Sequence, residues 1–291
     1  MPGEMNFASK SVNYLLPTWL KKVEEECENE ASEEHHNEIK VFEDEGRKTV
    51  WHVCSLLGVN KRGVPGHACQ LLERYVFHQM QICCNFARGS KEFQNFSHSL
   101  ESQLLLIVVT CVKLSAKMFI SNPHLSMKAV CTCLRLNGFA YTDKEVIAME
   151  FHVLKVLNFT LPLWTNVDVA RLLAYAIGMS EELMEQVELI MNLAELRRNR
   201  INHEARDTAG LSKSPSRKYV NKTVRSLHLA AGAVLALMQY QNLHNMEREK
   251  TLATFTRAPY PYLKCLSLII NKYLMESISG ASQSRKRKYN E

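Results

Sequence analysis

The sequence has no glycine-rich phosphate loop, no His-Glu-x-x-His helix and no Gly-x-Ser-x-Gly elbow. Nucleotide-cradling phosphoryl transfer, zinc-assisted hydrolysis and serine-based acyl transfer each need one of these arrangements, so no enzyme activity is expected. The longest apolar run, 104–112, falls well short of the roughly 20 residues that cross a bilayer as a helix, and no membrane association is expected. No basic segment followed by an apolar core stands at the amino terminus, which predicts no secretory signal. Cys131 and Cys133 lack the spacing and the second pair of a zinc knuckle, so no metal or other cofactor is predicted. His35-His36 and His203-Glu204 lie in polar stretches and read as solvated. The nine cysteines fit small apolar residues of a reducing compartment better than a disulfide framework.

The most legible stretch that is present runs over 141–161, YTDKEVIAMEFHVLKVLNFTL. Thr142 and Glu145 stand at the spacing of a capping box, so a helix starts near Asp143. Apolar residues then cover more than one face at helical period, which predicts a central helix wrapped by neighbours. Asn158 and Pro162 mark its end, because proline lacks the N–H and disfavours helix in the residue before it. Glu150 lies on a stripe with Ile147 and Leu154. A carboxylate there is expected at a solvated rim or paired across an interface, since burying it unpartnered costs several kcal/mol.

Charge is distributed unevenly. Residues 21–45 hold eleven acidic side chains against three lysines, a net −8 in a chain of formal charge +6, so the remainder carries +14. This leader, within 1–44, reads as a flexible or partly helical acidic arm. At the other end, 281–291 is a basic tail in which Arg285, Lys286, Arg287 and Lys288 form a compact cluster suited to nuclear import. Four charges are too few to predict sequence-specific nucleic-acid binding.

The motif at 141–161 resembles the fifth helix of the cyclin box, and the preceding segments follow in the order that the family requires. Segments 47–57 and 66–86 resemble the first and second helices, the latter through Leu72-Glu73-Arg74-Tyr75. Segment 100–118 resembles the third, through Leu114-Ser115-Ala116-Lys117-Met118, and 126–136 a short fourth. The resemblance implies an all-α fold: a five-helix box over 45–165, followed by a helical second domain over 166–280 that is open to being a degenerate cyclin-like repeat. It also implies a partner, a cyclin-dependent kinase. Carried over residue by residue, Lys117 and Glu150 would bond the backbone around the kinase C helix, with Leu114, Met118, Leu154, Phe159 and Leu161 as apolar neighbours. Such a protein activates by holding the C-helix glutamate inward and supplies no catalytic residue.

In the second half, 167–177, 181–196, 219–240 and 261–278 have helical periodicity, separated by a polar interval at 197–217. Ser214, in Ser214-Pro215-Ser216-Arg217, is a candidate proline-directed phosphorylation site. Within the cyclins, one recognisable box, an acidic leader and a chain of 291 residues most resemble a branch that acts in meiotic crossover maturation. That likeness implies a nuclear protein of meiotic chromosomes, with the cytoplasm as the alternative, and crossover-associated proteins as partners. A cyclin-fold scaffold that recruits recombination factors without activating a kinase is the alternative function.

Overall fold

The computed structural model describes residues 10–34, 44–83, 86, 90–120, 125–211, 224–243 and 245–288, and among them every regular element is helical. The chain divides into two compact units, one of residues 39–165 and the other of 1–38 together with 166–291.

The first unit contains α2 (Asp44–Leu56), α3 (Val64–Cys83), α4 (Lys91–Phe119), α5 (Met127–Leu136) and α6 (Asp143–Val156). Local chemistry sets the starts of the last three. The Ser90 hydroxyl accepts the Phe93 N–H, Ser126 accepts Ala129 N–H, and Thr142 and Glu145 form the complete reciprocal capping box. The central helix is α4: every residue from Leu106 to Ala116 is buried. Its length and apolarity would suit a membrane span, but that apolar stretch is packed inside the unit. The expectation that α6 would be wrapped on all sides is corrected. Val146, Met149, Glu150 and Val153 are buried, whereas Ile147 and Phe151 are exposed. Burial also pushes the Cys54 and Cys111 thiols up to about 12, so both behave as small neutral core residues.

The second unit contains α1 (Lys10–Glu34), α7 (Asn166–Ala176), a 3-10 turn (Glu181–Leu183), α8 (Met184–Leu196), α9 (Arg198–Leu211), α10 (Ser226–Tyr240), α11 (Met246–Thr256) and α12 (Tyr260–Lys288). Its centre is α10, buried without a break from Ser226 to Met238 and surrounded by α7, α8 and α12. Gly232 lets α12 approach closely: a Cβ there would lie 3.0 Å from Leu266 Cβ.

Three features of this unit depart from what the sequence predicts. The acidic leader, read as flexible or partly helical, is helical over α1 and is not a free arm: it packs on α7 and α10, buries Val23 and Cys27, and directs Glu24 and Glu28 at Arg257, 2.5 and 3.5 Å away. The polar interval at 197–217 contains α9, which buries Ile201 and Ala205 and is held by polar contacts as well. Arg198 Nη2 donates to the Val224 carbonyl and the Ser226 hydroxyl, both at 3.1 Å, and Asn202 Oδ1 accepts Val224 N–H at 3.0 Å. Helix α11 has no counterpart among the expected helices. Asn245 starts it, accepting from the N–H groups of Glu247 and Arg248. Ser214 lies outside the described residues, and Arg285, Lys286, Arg287 and Lys288 lie at the end of α12.

Candidate functional site

The last turns of α4 bring Lys113 and Lys117 to one face, four residues apart. Helix α6 lies against α4, oriented by burial of Val146, Met149 and Val153, which puts the carboxylate of Glu150 between the two lysines. Lys113 Nζ donates to Glu150 Oε2 at 2.8 Å, and Lys117 Nζ donates to Oε1. The three side chains differ in access to water: Lys113 is 6% exposed, Glu150 12% and Lys117 50%. Burial acts to raise the Glu150 pKa, but the hydrogen bonds and charges of Lys113 and Lys117 outweigh it and hold the carboxyl below its usual range.

Glu150 is therefore paired within its own chain, by Lys117, for which the resemblance implies a bond to the kinase backbone, and by Lys113, which the family motif does not single out. A helical projection of α4 contains the missing signal. Lys113 interrupts an otherwise apolar stretch at the i−4 position from Lys117.

Helix α6 and the turn after it also expose apolar side chains. Ile147 and Phe151, one turn apart on α6, are 54% and 52% exposed, and Phe159 is 60% exposed. Phe151 and Phe159 meet edge to face with centroids 6.0 Å apart, and Lys155 Nζ sits 4.6 Å from the Phe151 ring centre, in range of a cation–π contact. Phe159 reaches this position through an unusual turn: Asn158 and Phe159 both have left-handed backbones, with φ of 50° and 56°. The Phe159 N–H returns to the Leu154 carbonyl at 2.8 Å. Of the remaining candidates, Met118 is half-buried, and Leu154 and Leu161 are partly buried against the core. Leu114, at 5% exposed, is buried in the core of the unit.

The loop that follows α6 is fixed from beneath. His67 on α3 has Nε2 3.1 Å from the Pro162 carbonyl and Nδ1 2.9 Å from the Ser115 hydroxyl, with its ring edge-on to Phe119 at 4.7 Å. Arg74 Nη1 adds a bond to the Thr160 carbonyl at 3.3 Å. Among the described residues no group of three or more His, Cys, Asp or Glu side chains is placed to hold a metal ion.

Residues 68–162, which contain Lys113, Lys117, Glu150 and Phe159 but not His67, match the family profile of the cyclin N-terminal domain. That stretch, about a third of the chain, is the part similar to the cyclin N-terminal domain. Over 137 residues it is 27% identical to Cyclin N-terminal domain-containing protein 1 of Homo sapiens, covering 44% of this chain and 42% of that protein. The Mus musculus protein of the same name is 26% identical over the same length, with 44% and 41% covered. The match thus spans about two fifths of the length of these curated relatives. Among solved structures, a viral cyclin from herpesvirus saimiri superposes with a TM-score of 0.55 at 16% identity, over 90% of this chain and 97% of that one. At that identity the likeness is one of fold, and it establishes an all-α, cyclin-like architecture.

Proposed function

We propose that this protein is a non-catalytic regulator whose cyclin N-terminal domain docks the C helix of a cyclin-dependent kinase, through Lys117 and Glu150 with Met118, Leu154, Phe159 and Leu161 around them. The observation that carries the reading is the position of Lys117: half exposed and bonded to a buried carboxylate on α6, the helix that also carries the exposed Phe151. An ammonium with spare donors, on a unit that also exposes aromatic rings, suits a helical segment that presents free carbonyls at one end and apolar side chains along one face. By the resemblance in its sequence, the protein acts in the nucleus, on meiotic chromosomes, in crossover maturation with crossover-associated proteins. The basic residues Arg285, Lys286, Arg287 and Lys288 would serve its import.

The test is to purify the full chain with a panel of cyclin-dependent kinases and to compare wild type, Lys117→Ala and Phe159→Ala for complex formation and for phosphorylation of a generic substrate. Binding and activation by wild type, weakened in both variants, is the expected result. Failure to bind any kinase overturns it, and binding without activation assigns the protein to the scaffold class.

A further inference from the structure

Two ammonium groups share one carboxylate at this site, and they are not equivalent. Lys113 is enclosed between Val112 and Leu114 in the buried section of α4, whereas Lys117 stands half in water. Were Lys117 the sole counter-ion, turning it towards any other acceptor would strand a carboxylate that has almost no access to solvent. With Lys113 on Oε2, the negative charge stays neutralised whatever Lys117 does. Resting on the docking reading above, we propose that Lys113 is a positioning residue. It fixes Glu150 permanently and so leaves Lys117 exchangeable between Glu150 and the acceptors of a docked partner.

The electrostatic surroundings of Glu150 are simple. From α4, Lys113 and Lys117 face it. Two further helices meet α6 and the segment after it: α3, through Tyr75, edge-on to His152 with centroids 5.9 Å apart, and through Arg74, bonded to the Thr160 carbonyl, and α5, through the Cys131 thiol, which donates to Asp143 Oδ1 at 3.2 Å and lies within reach of the Lys113 charge. On α6 itself the acidic groups Asp143 and Glu145 lie in the first turn, with Glu145 engaged in the capping box. The protonation of Glu150 therefore reports on the two lysines. The two make different predictions: removing an exchangeable lysine should change little, and removing a permanent one should change much.

The decisive experiment is a side-chain carboxyl NMR titration of Glu150 in the full chain, for wild type, Lys117→Met, Lys113→Met, Lys113→Arg and the double Lys113→Met/Lys117→Met. In wild type the midpoint should lie below the ordinary carboxylate value, held down by the two lysines against the opposing effect of burial. It should stay below that value in Lys117→Met and in Lys113→Arg, rise in Lys113→Met, and rise in the double variant by more than the two single shifts together. Equal midpoints in Lys117→Met and the double variant would overturn the proposal, as would a midpoint unmoved by Lys113→Met. If Lys113→Met does not fold, Lys117→Met decides alone: a midpoint raised above the ordinary value means that Lys113 does not hold the carboxylate. No partner is present in the titration, so it tests Lys113 independently, and failure of the docking reading would be seen only in the kinase-binding assay.

Discussion

His67 and Pro162, ninety-five residues apart in sequence, are joined by an Nε2 contact of 3.1 Å to the Pro162 carbonyl. A carbonyl oxygen only accepts, so the proton sits on Nε2, and Nδ1 is left to accept the Ser115 hydroxyl at 2.9 Å. One neutral imidazole thereby ties α3 and α4 to the segment that carries Phe159 and Leu161.

This bond makes stability depend on pH. Burial, the dominant cause, pushes the His67 pKa down to about 4 from 6.5, against the upward pull of the Pro162 hydrogen bond. Between those values the unfolded chain binds the proton and the folded one does not, so unfolding is favoured as pH falls. The contribution is complete above about pH 6.5, is lost progressively towards about pH 4, and amounts to roughly 3 kcal/mol. His228, also pushed down to about 4 by burial, acts in the same direction in the other unit. Urea unfolding of the first unit between pH 7 and pH 4.5 should show this slope, and His67→Gln should flatten it. An identical slope in wild type and His67→Gln would refute the assignment.

The start of α6 offers a second check. Thr142 Oγ1 accepts Glu145 N–H at 3.3 Å, while Glu145 Oε2 accepts the Thr142 N–H at 2.8 Å. Thr142→Ala removes the hydroxyl and should lower stability by about 1 kcal/mol, with Thr142→Ser retaining most of it. Chemical denaturation at pH 7 measures both.

The capping box shows why α6 is legible in the sequence alone. Its start depends on two side chains three residues apart, and its core face on a 3.6-residue period, both of which are local. Glu150 is legible as an anomaly, but its partner Lys113 is not, because that pair spans 37 residues and only the rotation of α4 against α6 brings it together. Helix α9 is hidden for a related reason. Arg198, Asn202 and Glu195 form its buried polar contacts, and such residues look the same in a loop as in a core until their partners at Val224 and Ser226 are placed. The burial of Leu114 is not legible either, because a motif gives a residue's position in a helix but not how tightly its neighbours surround it.

The turn after α6 should respond to substitution by backbone preference. Asn158 at φ 50° occupies a region that asparagine and glycine tolerate and that other residues enter at a cost of roughly 1 kcal/mol or more. Asn158→Ala should therefore destabilise by about 1 kcal/mol while Asn158→Gly stays within about 0.5 kcal/mol of wild type. If docking depends on Phe159, Asn158→Ala should also weaken kinase binding. The comparison needs an unfolding curve and a titration with a kinase that binds the wild type.

The triad itself predicts opposite outcomes for two substitutions at one contact. Lys117 is half exposed, so its pair with Glu150 is screened by water, and Lys117→Ala should change stability by no more than about 1 kcal/mol. Glu150→Ala removes the carboxylate that accepts from Lys113 Nζ, at a position that is 6% exposed, and leaves a buried ammonium uncompensated. Its cost should be about 3–5 kcal/mol, the range for breaking a buried ion pair from one side. Double substitution to Lys113→Met/Glu150→Leu removes both charges and should recover most of that loss, because an apolar pair of similar volume replaces the ion pair. Equal losses for Lys117→Ala and Glu150→Ala in urea unfolding would contradict this ordering. The ordering also bears on the docking test: weakened kinase binding by Glu150→Ala could come from a disturbed α4–α6 contact, whereas Lys117→Ala and Phe159→Ala act at exposed side chains and report on the interface.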